Sequence, residues 1–329
     1  MKRAVAALVV ASIVIGLPAP AFAYLKFGVR IGDNLVNVRW NRSVSYFISE
    51  RTAPGVSATD LRDAVGRAFA TWQAVPTANV QSQLVGFTQA EPGEEDGRTT
   101  FGFLDRPELD RVLGATSIIL DASSGEILEA DVFFNGRFSW STSAAGEPGR
   151  VDLQSVALHE IGHLFGLGHS AIGETEMVAG GRRVLGTGAV MFPIALSAGS
   201  IADRALQPDD RAGIADLYPR AGFDESASSI SGRITKNGAG VFGAHIAAFN
   251  LETGEIVGGF TLNSNGDYVI GALPPGPYVV RVEPLDDADP ESFFPGITDV
   301  NFTVTSSSRL VIAPSGGNAE GVNVEVRPK

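Results

Sequence analysis

The chain is 329 residues long, carries 25 Lys and Arg against 37 Asp and Glu for a net charge of −12, and contains no cysteine. This acidity argues against nucleic acid or an anionic membrane as a partner. Without cysteine, an exported chain must be held by packing and metals rather than by disulfides.

Lys2 and Arg3, the apolar run 4–17, then Pro18, Pro20 and the small-x-small Ala21-Phe22-Ala23 predict a secretory signal over residues 1–23. The mature chain would begin at Tyr24 and be secreted or exported. The run is short for a membrane span, and no other stretch is apolar enough for one. What remains is long enough for two domains, each burying its own core.

Residues 39–50 alternate, with Val44, Tyr46 and Ile48 on one face, and predict a first strand ended by Pro54 and Gly55. Ser57 or Thr59 can cap a helix whose apolar face is Leu61, Val65, Phe69 and Trp72, ending at Pro76. Residues 80–87, 99–104, 115–120 and 130–135 read as further strands. The acidic, glycine-rich 91–97 between them reads as a solvated loop, where calcium is conceivable but unsupported. Asp152 is suited to cap the next helix, whose buried side is Val156 and the 158–164 region.

That helix carries three of the four histidines, in His159-Glu160-Ile161-Gly162-His163-Leu164-Phe165-Gly166-Leu167-Gly168-His169. Positions four apart lie on one helical face, so His159 and His163 can share a metal. Gly166 tolerates the positive φ that ends helices, letting His169 fold back as a third ligand. Three imidazoles leave a tetrahedral zinc one open position for water, and Glu160 stands where it can act as general base in peptide hydrolysis.

These residues resemble the metzincin metallopeptidases and, within them, the matrixins, the matrix-metalloproteinase-like family. His169-Ser170, Ala189-Val190-Met191-Phe192-Pro193 and the segment 206–218 carry the resemblance further. It implies one catalytic zinc held by His159, His163 and His169, with Glu160 catalytic. It also implies that Met191, in a turn completed by Pro193, lies beneath the metal without ligating it, and that the edge strand 114–120 pairs with substrate. The thiol latency of many matrixins is excluded by the lack of cysteine. An insertion over 173–188, rich in glycine and carrying Arg182 and Arg183, sets this chain apart. Met177 within it is a second candidate for the Met-turn, but it lacks the following proline. Ala195 implies a reduced pocket wall, and with only His245 remaining, a second structural zinc lacks ligands.

Residues 219–228 turn to glycine, serine and acids and read as a linker. Beyond them, apolar runs at 230–235, 245–250, 256–262, 268–270, 278–282, 301–304, 310–312 and 322–326 predict a β-sandwich. Asn265-Gly266-Asp267 signals a hairpin and Leu273-Pro274-Pro275-Gly276 a loop. Ile230-Ser231-Gly232-Arg233 and Gly243-Ala244-His245-Ile246, with those turns, resemble carboxypeptidase-regulatory-like, transthyretin-like modules. No catalytic constellation appears there, and its ligand is left open.

The expected architecture is α+β: a metzincin-type protease domain over 24–218, with a mixed twisted sheet and active-site helix, followed by an all-β sandwich over 229–329. The expected function is a secreted zinc endopeptidase acting on proteins or peptides through a zinc-bound water activated by Glu160. The alternative is a non-catalytic surface or adhesion protein using the protease-like domain as a scaffold and the sandwich for binding.

Overall fold

A computed structural model describes residues 5–9, 26–32, 34–178, 181–285, 293–294 and 298–329, without the side chains of 5–9, 176–178, 181–184 and 187. Of the signal over 1–23, only 5–9 is described. The Met177, Arg182 and Arg183 side chains also lie outside the described set.

The first half builds β1 (Val5–Val9), β2 (Gly28–Ile31), β3 (Asn34–Asn37), β4 (Val44–Ser49), α1 (Ala58–Gln73), β5 (Ser82–Thr88), β6 (Thr99–Leu104), β7 (Gly114–Asp121) and β8 (Glu126–Asn135). Short strands β9 (Trp140–Ser141) and β10 (Val151–Asp152) lead into α2 (Leu153–Leu164). The main sheet has the order β1-β7-β8-β6-β4-β5, with β5, β4, β6 and β8 parallel and β7 and β1 antiparallel to their neighbours. Val44, Tyr46 and Ile48 are buried together, as their alternation predicts.

α1 begins in a capping box between Ser57 and Asp60. Its stripe of Leu61, Val65, Phe69 and Trp72 is buried, with the Phe69 ring 4.6 Å from that of Tyr46. α1 also meets α2: the buried Trp72 indole donates to Leu158 O at 2.9 Å, and Arg67 donates to Gln154. A buried indole N–H left without a partner would cost about 1–3 kcal/mol, so this bond fixes the relative position of the helices.

The insertion is an antiparallel hairpin of β11 (Gly173–Val178) and β12 (Gly181–Thr187). A short 3₁₀ turn at Ala202–Arg204 and α3 (Pro208–Leu217) complete this half.

Then come β13 (Ser228–Lys236), β14 (Ala239–Gly240), β15 (His245–Asn250), β16 (Ile256–Phe260), β17 (Asp267–Leu273), β18 (Gly276–Glu283), β19 (Thr305–Ser306), β20 (Val311–Ala313), β21 (Asn318–Ala319) and β22 (Val324–Val326). One sheet is β14-β13-β17 with β21 and β22 on β13. The other is β16-β15-β18-β19 with β20 on β18. Ile230, Ile234, Tyr268 and Ile270 of the first and Ile246, Ala248, Val280 and Val282 of the second are buried between them.

Two expectations are corrected here. Asn265-Gly266-Asp267 does turn the chain, with Gly266 at φ +76°, but it joins strands of different sheets rather than a paired hairpin. Turn chemistry sets the reversal, whereas packing of Gly266 against Ile234 O chooses the partner strand. Residues 301–304 are not a strand: Phe302 anchors them in the core while Thr303 N donates to Arg327 O at 2.8 Å.

The cores of the two halves form one continuous cluster. Two smaller clusters straddle their junction, one of Ala171, Phe192, Phe260, Leu285, Phe293 and Phe294, the other of Ile172, Ala189 and Ala247.

Candidate metal centre and active site

α2 is fastened at both ends. The Asp152 carboxylate accepts from Ser155 N at 2.9 Å, and Arg204 grips the same carboxylate in a two-pronged ion pair. At the other end the Trp40 indole donates to Leu164 O at 2.8 Å and the Tyr218 hydroxyl to Phe165 O at 2.7 Å. Both close carbonyls that a helix terminus leaves unbonded.

The chain leaves α2 through Gly166 at φ +99°, with Leu167 N donating to Gly162 O at 3.0 Å. A Cβ at Gly166 would lie 2.2 Å from Val38 O, so glycine is required by both conformation and space.

That exit returns His169 to His159 and His163, and one nitrogen from each of the three lies within 4.8 Å of the others. His159 Nδ1 donates to Val190 O and His163 Nδ1 to Leu167 O, each at 2.8 Å. These bonds fix the tautomer and turn the two Nε2 lone pairs inward, 3.0 Å apart. Tetrahedral zinc with Zn–N near 2.0–2.1 Å needs nitrogens about 3.4 Å apart, and the all-imidazole donor set suits it. Burial holds His159 down to about 4 and His163 well below its ordinary value, so both are neutral near pH 7, as ligands must be. The Phe27 ring stacks on His163 with centroids 5.8 Å apart.

Glu160 is buried beside this cluster. Its Oε2 accepts from the Thr116 hydroxyl of β7 at 2.8 Å, and burial raises the carboxyl to about 7 against that bond. Its Oε1 faces Gly114, where an added Cβ would stand 3.2 Å away.

Met191 is buried, its Sδ only 2.2 Å from where a Cβ of Gly162 would be. Gly162 therefore lets the methionine press against α2 between the first two histidines. Pro193 is half-buried and Ala195 exposed. The Asp210 carboxylate accepts from Val190 N at 2.8 Å, Met191 N at 3.0 Å and Gln207 N at 2.8 Å. Through Val190, whose carbonyl orients His159, Asp210 reaches the histidine cluster. Burial pushes its carboxyl up to about 7.

Thr116, Asp210 and Phe27 escape the sequence reading. Thr116 had a signal: it shares the inward register of Ile118 and Leu120, where a polar side chain needs a partner. Asp210 had none beyond suiting a helix N-terminus. His245 stands apart, buried in β15 and bonded through Nδ1 to Glu283 at 2.9 Å.

Residues 39–219 match the Matrixin family and residues 229–313 the Carboxypeptidase regulatory-like domain. The chain is 29% identical over 154 residues to Metalloendoproteinase 4-MMP of Arabidopsis thaliana, covering 42% of this chain and 40% of that protein. It is 26% identical over 199 residues to karilysin of Tannerella forsythia, covering 58% and 36%. It is 28% identical over 136 residues to human neutrophil collagenase, covering 41% and 27%. The chain thus spans less than half the length of each of these curated relatives.

Proposed function

Since the chain belongs to the matrixin family, we propose that it is an exported zinc-dependent endopeptidase in which His159, His163 and His169 hold the metal and Glu160 is the general base. The observation that carries this reading is the convergence of three imidazoles, two of them oriented by carbonyls, on a point flanked by a buried carboxylate. Zinc bound there supplies Lewis acidity, lowering the pKa of water toward ~7 and polarising a carbonyl.

The protein's own groups supply the rest. Glu160 takes a proton from the attacking water at Oε1, while the Thr116 hydroxyl holds Oε2 in place. The same carboxyl then returns the proton to the leaving amine. Met191 and Asp210 fix the floor that orients His159. An extended peptide would bind by adding a strand to β7, and the pairing of Val5–Val9 antiparallel to that strand supports the idea that its edge accepts one. Export rests on the 1–23 segment. Among the described residues no helix is long and apolar enough to cross a membrane.

The test is metal content of the mature chain together with cleavage of unfolded casein, with and without a zinc chelator. Expected are about one zinc per chain and chelator-sensitive cleavage. Zinc without cleavage of casein or of a broad peptide library would favour the scaffold alternative.

A further inference from the structure

The third ligand is followed by a segment wedged between the metal cluster and the sandwich. Ser170 N donates to Met191 O at 2.9 Å, Ile172 N donates to Ser170 Oγ at 3.1 Å, and Gly188 N donates to Ile172 O at 3.0 Å. The Ser170 hydroxyl is bonded to the Asp209 carboxylate. That carboxylate receives a second donor from the other domain: Gly258 N of β16, at 2.7 Å.

Asp209 and Ser170 are each only 2% exposed, so this is a dry junction rather than a surface touch. Ala171 packs in the cluster of Phe260, Phe293 and Phe294, and Ile172 packs with Ala247. A Cβ on Gly258 would come within 3.1 Å of Ile172 and 3.0 Å of His245 Nε2, so the strand approaches this segment as closely as its backbone allows. The Phe293 ring stands edge-on to His169, with centroids 6.1 Å apart. His169 thus meets the sandwich directly, while its neighbour Ser170 is bonded to Met191 O.

We propose that the C-terminal sandwich is a positioning part of the metal centre: the Gly258 amide, acting through Asp209 and Ser170, holds residues 169–172 so that His169 completes the ligand set. An unbraced third imidazole would sample other rotamers and lose affinity, as happens when groups that orient metal ligands are removed. Asp209 is then a positioning residue that touches neither metal nor substrate. The inference rests on the reading of the cluster as a zinc site, but it does not require that the substrate be known.

The test uses the full mature chain and the variants Asp209→Ala, Asp209→Asn and Gly258→Val, with Phe302→Leu in the sandwich core as a control for general loss of stability. Zinc affinity is measured by chelator competition, ligand geometry by the visible spectrum of the cobalt-substituted protein, and turnover by kcat and KM separately. Asp209→Ala and Gly258→Val are expected to weaken zinc binding by about 10-fold or more and to change the cobalt spectrum. kcat should fall while KM stays within about twofold. Asp209→Asn keeps an acceptor for Gly258 N and should recover most of the loss, and Phe302→Leu should leave affinity and spectrum unchanged.

Wild-type zinc affinity and an unaltered cobalt spectrum in Asp209→Ala and Gly258→Val would overturn the proposal, as would an equal change in Phe302→Leu. If Asp209→Ala fails to fold, Gly258→Val decides the question by the same readouts. A wild-type chain that binds zinc but cleaves nothing would count against the peptidase reading alone, because affinity and spectrum are read without turnover.

Discussion

Glu160 and Thr116 face each other from different elements, the first on α2 and the second on β7. Glu160→Ala removes a base and no ligand, so hydrolysis should fall by about 10²–10⁴-fold while close to one zinc per chain remains. Turnover that persists in the metal-loaded variant would remove Glu160 from the mechanism. Thr116→Val keeps the shape but deletes the hydroxyl that holds Oε2. It should lower kcat by about 10-fold with zinc content unchanged, measured by steady-state kinetics beside metal analysis. Glu160 was marked in the sequence by its position next to His159, and its burial beside Thr116 is what the fold adds. Thr116 is 44 residues away from it along the chain, and only the packing of β7 on α2 brings the two together.

At the scale of elements, the exit from α2 and the loop over the main sheet invite separate tests. Gly166→Ala forces a side chain into φ +99° and 2.2 Å from Val38 O, so it should cost at least about 2 kcal/mol and weaken zinc binding by displacing His169. Urea unfolding with and without zinc checks both effects.

Asp131 on β8 ties down the 91–97 loop, accepting from Thr100 N at 2.7 Å and Gly93 N at 2.6 Å. Burial lifts its carboxyl from 3.8 to about 7. Its folded value is raised, so its contribution to stability is complete below the unfolded value and is lost as pH rises through the folded one. The stability of the wild type relative to Asp131→Asn should therefore decline from about pH 4 to about pH 7 and level off above that, as followed by urea midpoints. A constant difference would mean that this carboxyl does not titrate in that range. The acidic loop was visible in composition. Its attachment to a buried carboxylate was not, because a strand residue and a loop amide meet only in the folded sheet.

For the whole molecule, the continuous core and the buried Asp209 junction imply that the two halves unfold together. Calorimetry should give one transition, and two resolved transitions would contradict the coupling. The ion pair of Arg211 with Glu255 also crosses the junction, but its side chains are 44% and 35% exposed. Arg211→Ala should therefore change stability by less than about 1 kcal/mol.

Features that depend on neighbours along the chain could be read from residue order alone. Helical spacing aligned His159 with His163, glycine at 166 allowed the exit, Asp152 capped the helix, and alternation marked most strands. Relations between distant residues come only from the folded chain: Thr116 on Glu160, Asp210 on the amides of Val190 and Met191, Phe27 on His163, and the sandwich against residues 169–172. The reason is physical. Periodicity and turn chemistry are local properties of the backbone, whereas the partner of a buried polar group is whichever donor or acceptor the completed packing brings to it.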